Sequence, residues 1–594
     1  MFLRTVKAAG GKGATYEYVR LVESYREGGK NKQRVVQSLG RKDLLAAHLD
    51  SLSRLLRGEP ARPDRTAPFR ALGAWDWGPA LVARWLWREL GLESILQGHG
   101  GRGLADRVEL SDRALVLVTN RLCVPSSEHG LARWLETDFV CDGKGRRWIP
   151  EWRDDAERRA SRLPRVRVQL RQLKRWYRTL DRLRTHKNDI EKDLFFRLRD
   201  LFSLQPDLVF YDLTSTYFEG EGPPTLGKHG HSRDGKPRNR QVLVGVVMVN
   251  GWPIAHHIFP GNRHDDQTVQ AVVEDLENRL GLQRVVFVGD RGMVTRKALA
   301  FLKGRRADGG GHGYVVGLAR RRREEIIRYI RRAQGPWTEC PGGIAAREKT
   351  VPPKTLVQEV VGDEPGVRVF VVHSDERLAY EQAMRERSME RTRIALEKLQ
   401  KRVGTGKLKA PELVGACAGR ILARNHGHRY YAWALRDGAF HFFESENLAR
   451  EKAYEGKYLI QTEEKDLGPV QAVQAYKELA EVERGFRTIK DVIEMRPIFH
   501  QTDARVEAHV FVAALALLLH RALEKKLNAA KIDLSASEAL QALRTVRVVE
   551  IDCGAGGVKR SVTRGSERAA SILKALGIAQ LDPPIAPEGD ETVV

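Results

Sequence analysis

Four stretches decide the fold: DLVFYD at 207–212, QVLVGVVMV at 241–249, WPIAHHIF at 252–259 and RVVFVGD at 284–290. Short apolar runs rich in β-branched and aromatic residues, bounded by turn signals, read as strands. Asn250-Gly251 joins the second run to the third, and an Asn-Gly pair between apolar runs is the strongest short-range hairpin signal. After the hairpin, 265–280 reads as a helix. Beyond RVVFVGD come a helix at 295–303 and a strand at 314–318. Strand, hairpin, helix, strand, helix, strand is the order of a ribonuclease-H-like α/β core. Such a fold does not by itself assign a function.

Working outward, residues 321–455 break this rhythm with VRVFVVH, YYAWALRDGAFHFF and a charged helix at 376–402, so they read as a β-rich insertion domain at 321–455. KYLIQTE at 457–463 resumes the core, followed by a long helix from Pro469 to about Val492, with proline at the first turn as helices allow. The two halves of the core are therefore expected at 204–320 and 456–530, followed by a C-terminal region at 531–594. Ahead of the core lies an α-helical, basic region at 63–203. There Leu170, Leu173, Tyr177 and Leu180, preceded by Val166, place one apolar stripe on a helix. A small β-containing unit fills 1–62, with strands expected at 17–24 and 34–39 around the turn EGGKNK. A linker is expected at 63–68. A chain of 594 residues suits several units at roughly 100–200 residues each.

Composition points to a partner. Lys and Arg number 101 against 77 Asp and Glu, a formal net charge of +24, which suits a polyanion. Hydrophobic residues at 42% and charged residues at 30% describe a globular chain, neither disordered nor membrane-embedded. The five cysteines show no CxxC pair, which argues against a zinc site or a disulfide framework and suits a reducing cytoplasm. The longest apolar run, 510–519, is about half of the ~20 residues a membrane span needs.

Asp212 and Asp290 each end one of the core strands, where ligands and metals collect in α/β sheets. Either alone would read as a turn cap; both on neighbouring strands read as a site. A third acid comes from AYKELAEVERGFRTIKD at 475–491, where Tyr476, Glu483, Arg487 and Lys490 share one face at helical spacing. An ordinary amphipathic helix with ion pairs offers the same pattern, and Glu478 and Glu481 suit such pairs.

These residues resemble the DDE transposases of bacterial insertion sequences, in the branch with a Tyr-x2-Arg-x3-Glu-x6-Lys signature on the helix bearing the last acid. Tyr476, Glu483 and Lys490 match it residue by residue; Leu479 stands in place of the Arg, with Arg487 the candidate substitute. YDLTSTYFEG at 211–220, GWPIAHHIFPGNRHDDQT at 251–268, VGDRGM at 288–293 and the segment 496–519 are also similar, and the likeness runs from 211 to 523. The acids are spaced 78 and 193 residues apart, the layout with an insertion before the final Glu.

The resemblance implies an enzyme that cuts DNA at the ends of a mobile element and joins the 3′ ends to target DNA. It implies Asp212, Asp290 and Glu483 as catalytic residues and as ligands of two Mg2+ or Mn2+ ions, with Asp212 bridging. Carboxylates suit such oxygen-preferring ions, and a pair about 3.5–4 Å apart stabilises charge on the attacking and leaving oxygens. The implied partner is double-stranded DNA, bound by a homodimer in the cytoplasm without a membrane. A nuclease that only hydrolyses, or an inactive DNA-binding derivative, are the competing readings. Expected DNA contacts are Tyr476, Arg487 and Lys490 at the site, with Arg291 beside Asp290. The basic loop 228–240 adds Lys228, Arg233 and Lys236, and Arg171, Lys174, Arg175 and Arg178 belong to a segment, 158–187, with ten Arg and two Lys. His264, Asp265 and Asp266 read as a helix cap, Trp337 and Trp433 as core residues that could stack on a flipped base, and His500 and His509 as structural.

Overall fold

The computed structural model describes residues 2–9, 15–45, 70–101, 103–150, 170–204, 208–264, 266–282, 285–290, 295–304, 312–318, 323–341, 353–424, 426–553, 558–585 and 592–593. The linker at 63–68, the arginines of 158–167, Val166, Asp265 and Arg291 lie outside the described residues, as does the side chain of Asp290.

At the N-terminus β1 (Phe2–Ala9), β2 (Thr15–Glu27) and β3 (Lys30–Arg41) form an antiparallel meander. The β2–β3 turn is Gly28-Gly29, both at positive φ, which glycine adopts without a Cβ clash. The ladder runs past the expected strands as far as Glu27 and Lys30, where a charged pair such as Lys32–Glu27 supports it. β1 is a strand that the sequence reading lacked.

Next come β4 (Arg70–Asp76), α1 (Gly78–Glu89), α2 (Leu104–Cys123), α3 (Leu170–Thr185) and α4 (Lys187–Phe202). On α3, Trp176, Leu180 and Leu183 are buried while Arg171, Lys174, Arg175 and Arg178 stay exposed. Amphipathic helices bury one stripe in this way.

The main sheet begins with β5 (Leu208–Tyr217), β6 (Gln241–Val249) and β7 (Trp252–Pro260), continues through α5 (Asp266–Leu280), β8 (Val286–Asp290) and α6 (Arg296–Gly304), and reaches β9 (Gly313–Gly317). Asn250 and Gly251 both take positive φ, as a two-residue hairpin turn requires. Within the sheet β5 pairs antiparallel to β6 and parallel to β8, which pairs parallel to β9.

The following segment does not stand apart as a β-rich insertion. β10 (Thr338–Cys340), β11 (Thr355–Val361) and β12 (Arg368–Ser374) extend the sheet. A mainly helical part then follows, with α7 (Asp375–Gly404), α8 (Pro411–Arg424) and the hairpin of β13 (Tyr431–Arg436) and β14 (Ala439–Glu444). These gather around their own apolar cluster, including Leu396, Val414, Leu422 and Phe440. β15 (Lys457–Thr462) completes nine strands in the order β10-β11-β12-β15-β9-β8-β5-β6-β7. β15 joins the halves because it pairs with both β12 and β9. Local pattern could not reveal this: a strand run carries no record of its partner.

α9 (Pro469–Arg487) lies across β5, β8 and β9 and runs into a five-residue π-helical turn at Thr488–Val492. α10 (Asp503–Ala529) is long and apolar enough to cross a membrane, yet 89% of its most apolar window is buried inside the fold. Each fully buried Leu, Val or Phe of such a helix contributes roughly 1.5–3 kcal/mol. After α11 (Ala536–Leu543), β16 (Arg547–Asp552) pairs with both β17 (Val558–Val562) and β4, which ties the C-terminal region to the start of the helical region.

Candidate active site

Asp212 does not end its strand as expected but lies in the middle of β5, which continues to Tyr217 because β6 pairs with it throughout, and alternation along the strand aims it. The buried Tyr211 donates its hydroxyl to Thr268 Oγ1 on α5 at 3.0 Å, and its ring fills the space left by Gly245 on β6. Successive strand side chains point to opposite faces, so Asp212 points to the other face, the one that α9 covers. There Asp212 is half-buried, and its Oδ1 accepts the Leu213 N–H at 2.8 Å.

Register brings the second acid level with the first. The β5–β8 ladder pairs Leu208 with Val286 and Phe210 with Val288, and two residues further along each strand stand Asp212 and Asp290. The offset within each of these pairs is the 78 residues between the two aspartates. Asp290 in turn pairs with Gly317 at the end of β9.

α9 supplies the third acid, and its neighbours separate the candidates. Tyr476 is half-buried with its phenol against Gly317, where an added Cβ would lie 2.2 Å from the hydroxyl oxygen, and its ring lies 5.7 Å from that of Tyr458 on β15. Seven residues on, Glu483 shares that face and is exposed; among the described residues it makes no ion pair. Glu481 is held by Arg484 and by Arg521 of α10. Burial, with Glu481 beside it, raises the pKa of Glu478. Arg487 is exposed.

Lys490 departs from the expected straight helical face. The π turn re-aims it, and its ammonium lies 2.8 Å from Asp234 Oδ1, in the basic loop between β5 and β6. Arg496 reaches the same oxygen at 2.5 Å and also pairs with Asp491. Burial lowers the pKa of Lys490, and Asp234 offsets part of that effect. Asp234 and Arg496 went unnoticed in the sequence; the signal was there, since Asp234 is the one acid in KHGHSRDGKPRNR.

Beside the loop opens a cleft of about 670 Å3 lined by His229, His231, Arg233, Arg263 and His264, with Thr295 from beyond β8. Arg233 thus faces the cleft, Lys236 lies 5.9 Å from the Tyr217 ring, and the Lys228 backbone pairs with Gln241. The exposed cations of α3 belong to a different element from this loop. Trp433 stacks on Phe440 within the helical part's apolar cluster, and Trp337 packs beside Tyr329 and Val369 in another. His500 lies 3.7 Å from Glu128. His509 bonds both Arg121 and the Met495 carbonyl, which occupies both ring nitrogens.

Comparison with known proteins fits these elements to a class. Residues 205–519 match the family model for the transposase DDE domain, which makes the chain a DNA-processing enzyme. It belongs to the DDE transposases, and its residues 3–67 match the model for the N-terminal domain of the IS1634 family transposases, from bacterial insertion sequences. No curated protein matches the chain. Among solved structures, the piggyBac transposase synaptic complex with hairpin DNA is similar at 9% identity and a TM-score of 0.32, over 79% of this chain and 77% of that one. The Mos1 transposase paired-end complex with the left transposon end is similar at 13% identity and a TM-score of 0.13, over 33% and 56%.

Proposed function

We propose that this transposase cleaves DNA at the ends of its element and joins the 3′ ends to target DNA, with Asp212, Asp290 and Glu483 as its catalytic acids. The observation that carries the reading is the coincidence of register and alternation: Asp212 is level with Asp290 and points to the face crossed by the Glu483-bearing helix. The strand order β7-β6-β5-β8-β9, antiparallel then parallel, supports a ribonuclease-H-like core.

The donor set fits divalent Mg2+ or Mn2+: all three candidates are carboxylates, and neither cysteine nor histidine stands beside them in sequence. When bound, a pair of such ions stabilises charge on the transferring phosphate and strengthens the nucleophile. The chain's own residues position the DNA. Arg487 lies on the Glu483 side of α9 for a phosphate near the cut, with Tyr476 behind it. Lys228, Arg233, Lys236 and the cleft beside them take the flanking backbone, with Arg291 following Asp290. Arg171, Lys174, Arg175 and Arg178 present a second cationic stripe, for duplex held by the helical region.

We assign the core to 204–320 and 456–530, end recognition to 1–203, and a homodimer to the DNA complex, in the bacterial cytoplasm beside the nucleoid. The test is to incubate the protein with its flanking DNA, Mg2+ and a target plasmid, and to size the products. Cut ends joined to target support the proposal; cut ends never joined leave a nuclease, and intact DNA an inactive binder.

A further inference from the structure

We propose that the projecting part of the β2–β3 hairpin is a ribbon that enters the major groove of the element end, where Arg26, Asn31 and Gln33 read base edges. The inference deepens the reading of residues 1–203 as the part that recognises the ends, and it rests on that reading.

The ribbon stands clear of its neighbours. β1 accompanies β2 only as far as the Phe2–Val22 pair, so from Glu23 onward the meander is reduced to two strands, closed by Gly28-Gly29. Every residue from Ser24 to Ser38 is exposed, so this part buries neither face. The major groove of B-DNA admits an α-helix or a two-stranded ribbon of this kind. The glycine turn adds no side chain at the leading end.

Alternation sorts the two faces chemically, because successive strand side chains point to opposite sides. On one side lie Glu23, Tyr25 and Glu27, opposite Arg34, Lys32 and Lys30. There the acids are already matched: Arg34 lies 2.6 Å from Glu23, and Lys32 lies 2.9 Å from Glu27. On the other side lie Ser24 and Arg26, opposite Gln33 and Asn31, with Val35 further back opposite Val22. That side carries no acid between Val22 and Val35. Among the described residues the side chains of Arg26 and Asn31 make no hydrogen bond or ion pair. Gln33 Oε1 accepts from Arg4 Nη1 of β1 at 2.8 Å, which anchors the amide and leaves its Nε2 as a donor.

The residue types select the partner. Arginine forms a bidentate pair with guanine, asparagine and glutamine do so with adenine, and an apolar side chain such as Val35 meets the thymine methyl. A surface for phosphate alone needs only charge, yet the lysines stand on the opposite face and the amides gather on this one.

The experiment uses the full chain, a labelled duplex carrying the element end and the same duplex with its end sequence scrambled. The ratio of the two affinities is measured at fixed salt. Arg26→Ala, Asn31→Ala and Gln33→Ala are each expected to lower that ratio by roughly 5- to 150-fold, through weaker end binding. Lys32→Ala, on the opposite face, should leave it unchanged. Missing-base interference locates the contact: removing the guanine that Arg26 reads should weaken binding by the wild type and not by Arg26→Ala. These side chains are exposed, so each variant should keep a native circular-dichroism spectrum. The proposal is overturned if all three variants keep the wild-type ratio, including by equal losses on both duplexes, the pattern of phosphate contacts. A kept ratio with a lost dimer in sedimentation also overturns it and gives the ribbon to a protein partner. Equal affinity of the wild type for the two duplexes would refute end recognition itself, the reading on which the ribbon rests.

Discussion

Gly317 and Tyr476 pack against each other where β9 meets α9: a Cβ on Gly317 would stand 2.2 Å from the phenol oxygen and 2.6 Å from the ring carbon that bears it. The glycine allows the helix to lie close over the strands that carry Asp212 and Asp290.

Gly317→Ala is therefore expected to push Tyr476, and Glu483 two turns further on, away from the sheet. A displacement of about 1 Å costs on the order of 10²-fold in rate. Cleavage should fall by that order while circular dichroism stays native. Wild-type cleavage by this variant would show that the close approach is irrelevant to the site.

Asp212→Asn, Asp290→Asn and Glu483→Gln should each abolish cleavage while end binding persists, since each removes a proposed metal donor but little phosphate contact. Mobility-shift and cleavage assays on the same preparation check this. A variant that still cuts at full rate removes its residue from the catalytic set.

The exposed cations of α3 should act on affinity alone. Each phosphate contact contributes about 0.9 to the slope of log affinity against log salt. Arg171→Ala, Lys174→Ala, Arg175→Ala and Arg178→Ala should each flatten that slope by up to about that amount, with pre-bound DNA cut normally. Slopes unchanged in all four would leave this face merely solvated.

Stability should fall as pH drops from about 6.5 toward 4. Burial, with Lys187 beside it, pushes His256 down to about 4, and burial pushes His520 to about 4 and lowers His509 as well. The unfolded chain takes up protons at these positions first, near the ordinary histidine value of about 6.5, so protonation favours unfolding throughout that window. Burial would raise Glu191, but Lys187, His256 and Arg279 hold it below the carboxylate range. Its contribution is therefore lost only at lower pH. Calorimetry at pH 7 and 5 checks the sign; a higher melting temperature at pH 5 would contradict it.

Much of the core was legible because its signals are local. DLVFYD, the Asn250-Gly251 turn and RVVFVGD set strand type without reference to the rest of the chain, although β5 runs past the end expected at Asp212 because β6 pairs with it as far as Tyr217. The spacing of Tyr476, Glu483 and Arg487 set their shared face in the same way. Lys490 escaped that reading because a π turn breaks the period on which it relied.

What the sequence by itself determined is therefore residue type and local period: three carboxylates on two strands and one helix, in a chain charged for a polyanion. Tertiary structure alone decided that β15 stitches β10–β12 onto the core, that β4 pairs with β16 from the far end of the chain, and that Asp234 holds Lys490. Pairing across hundreds of residues depends on which faces bury one another, and that free energy belongs to the assembled fold rather than to any window of sequence.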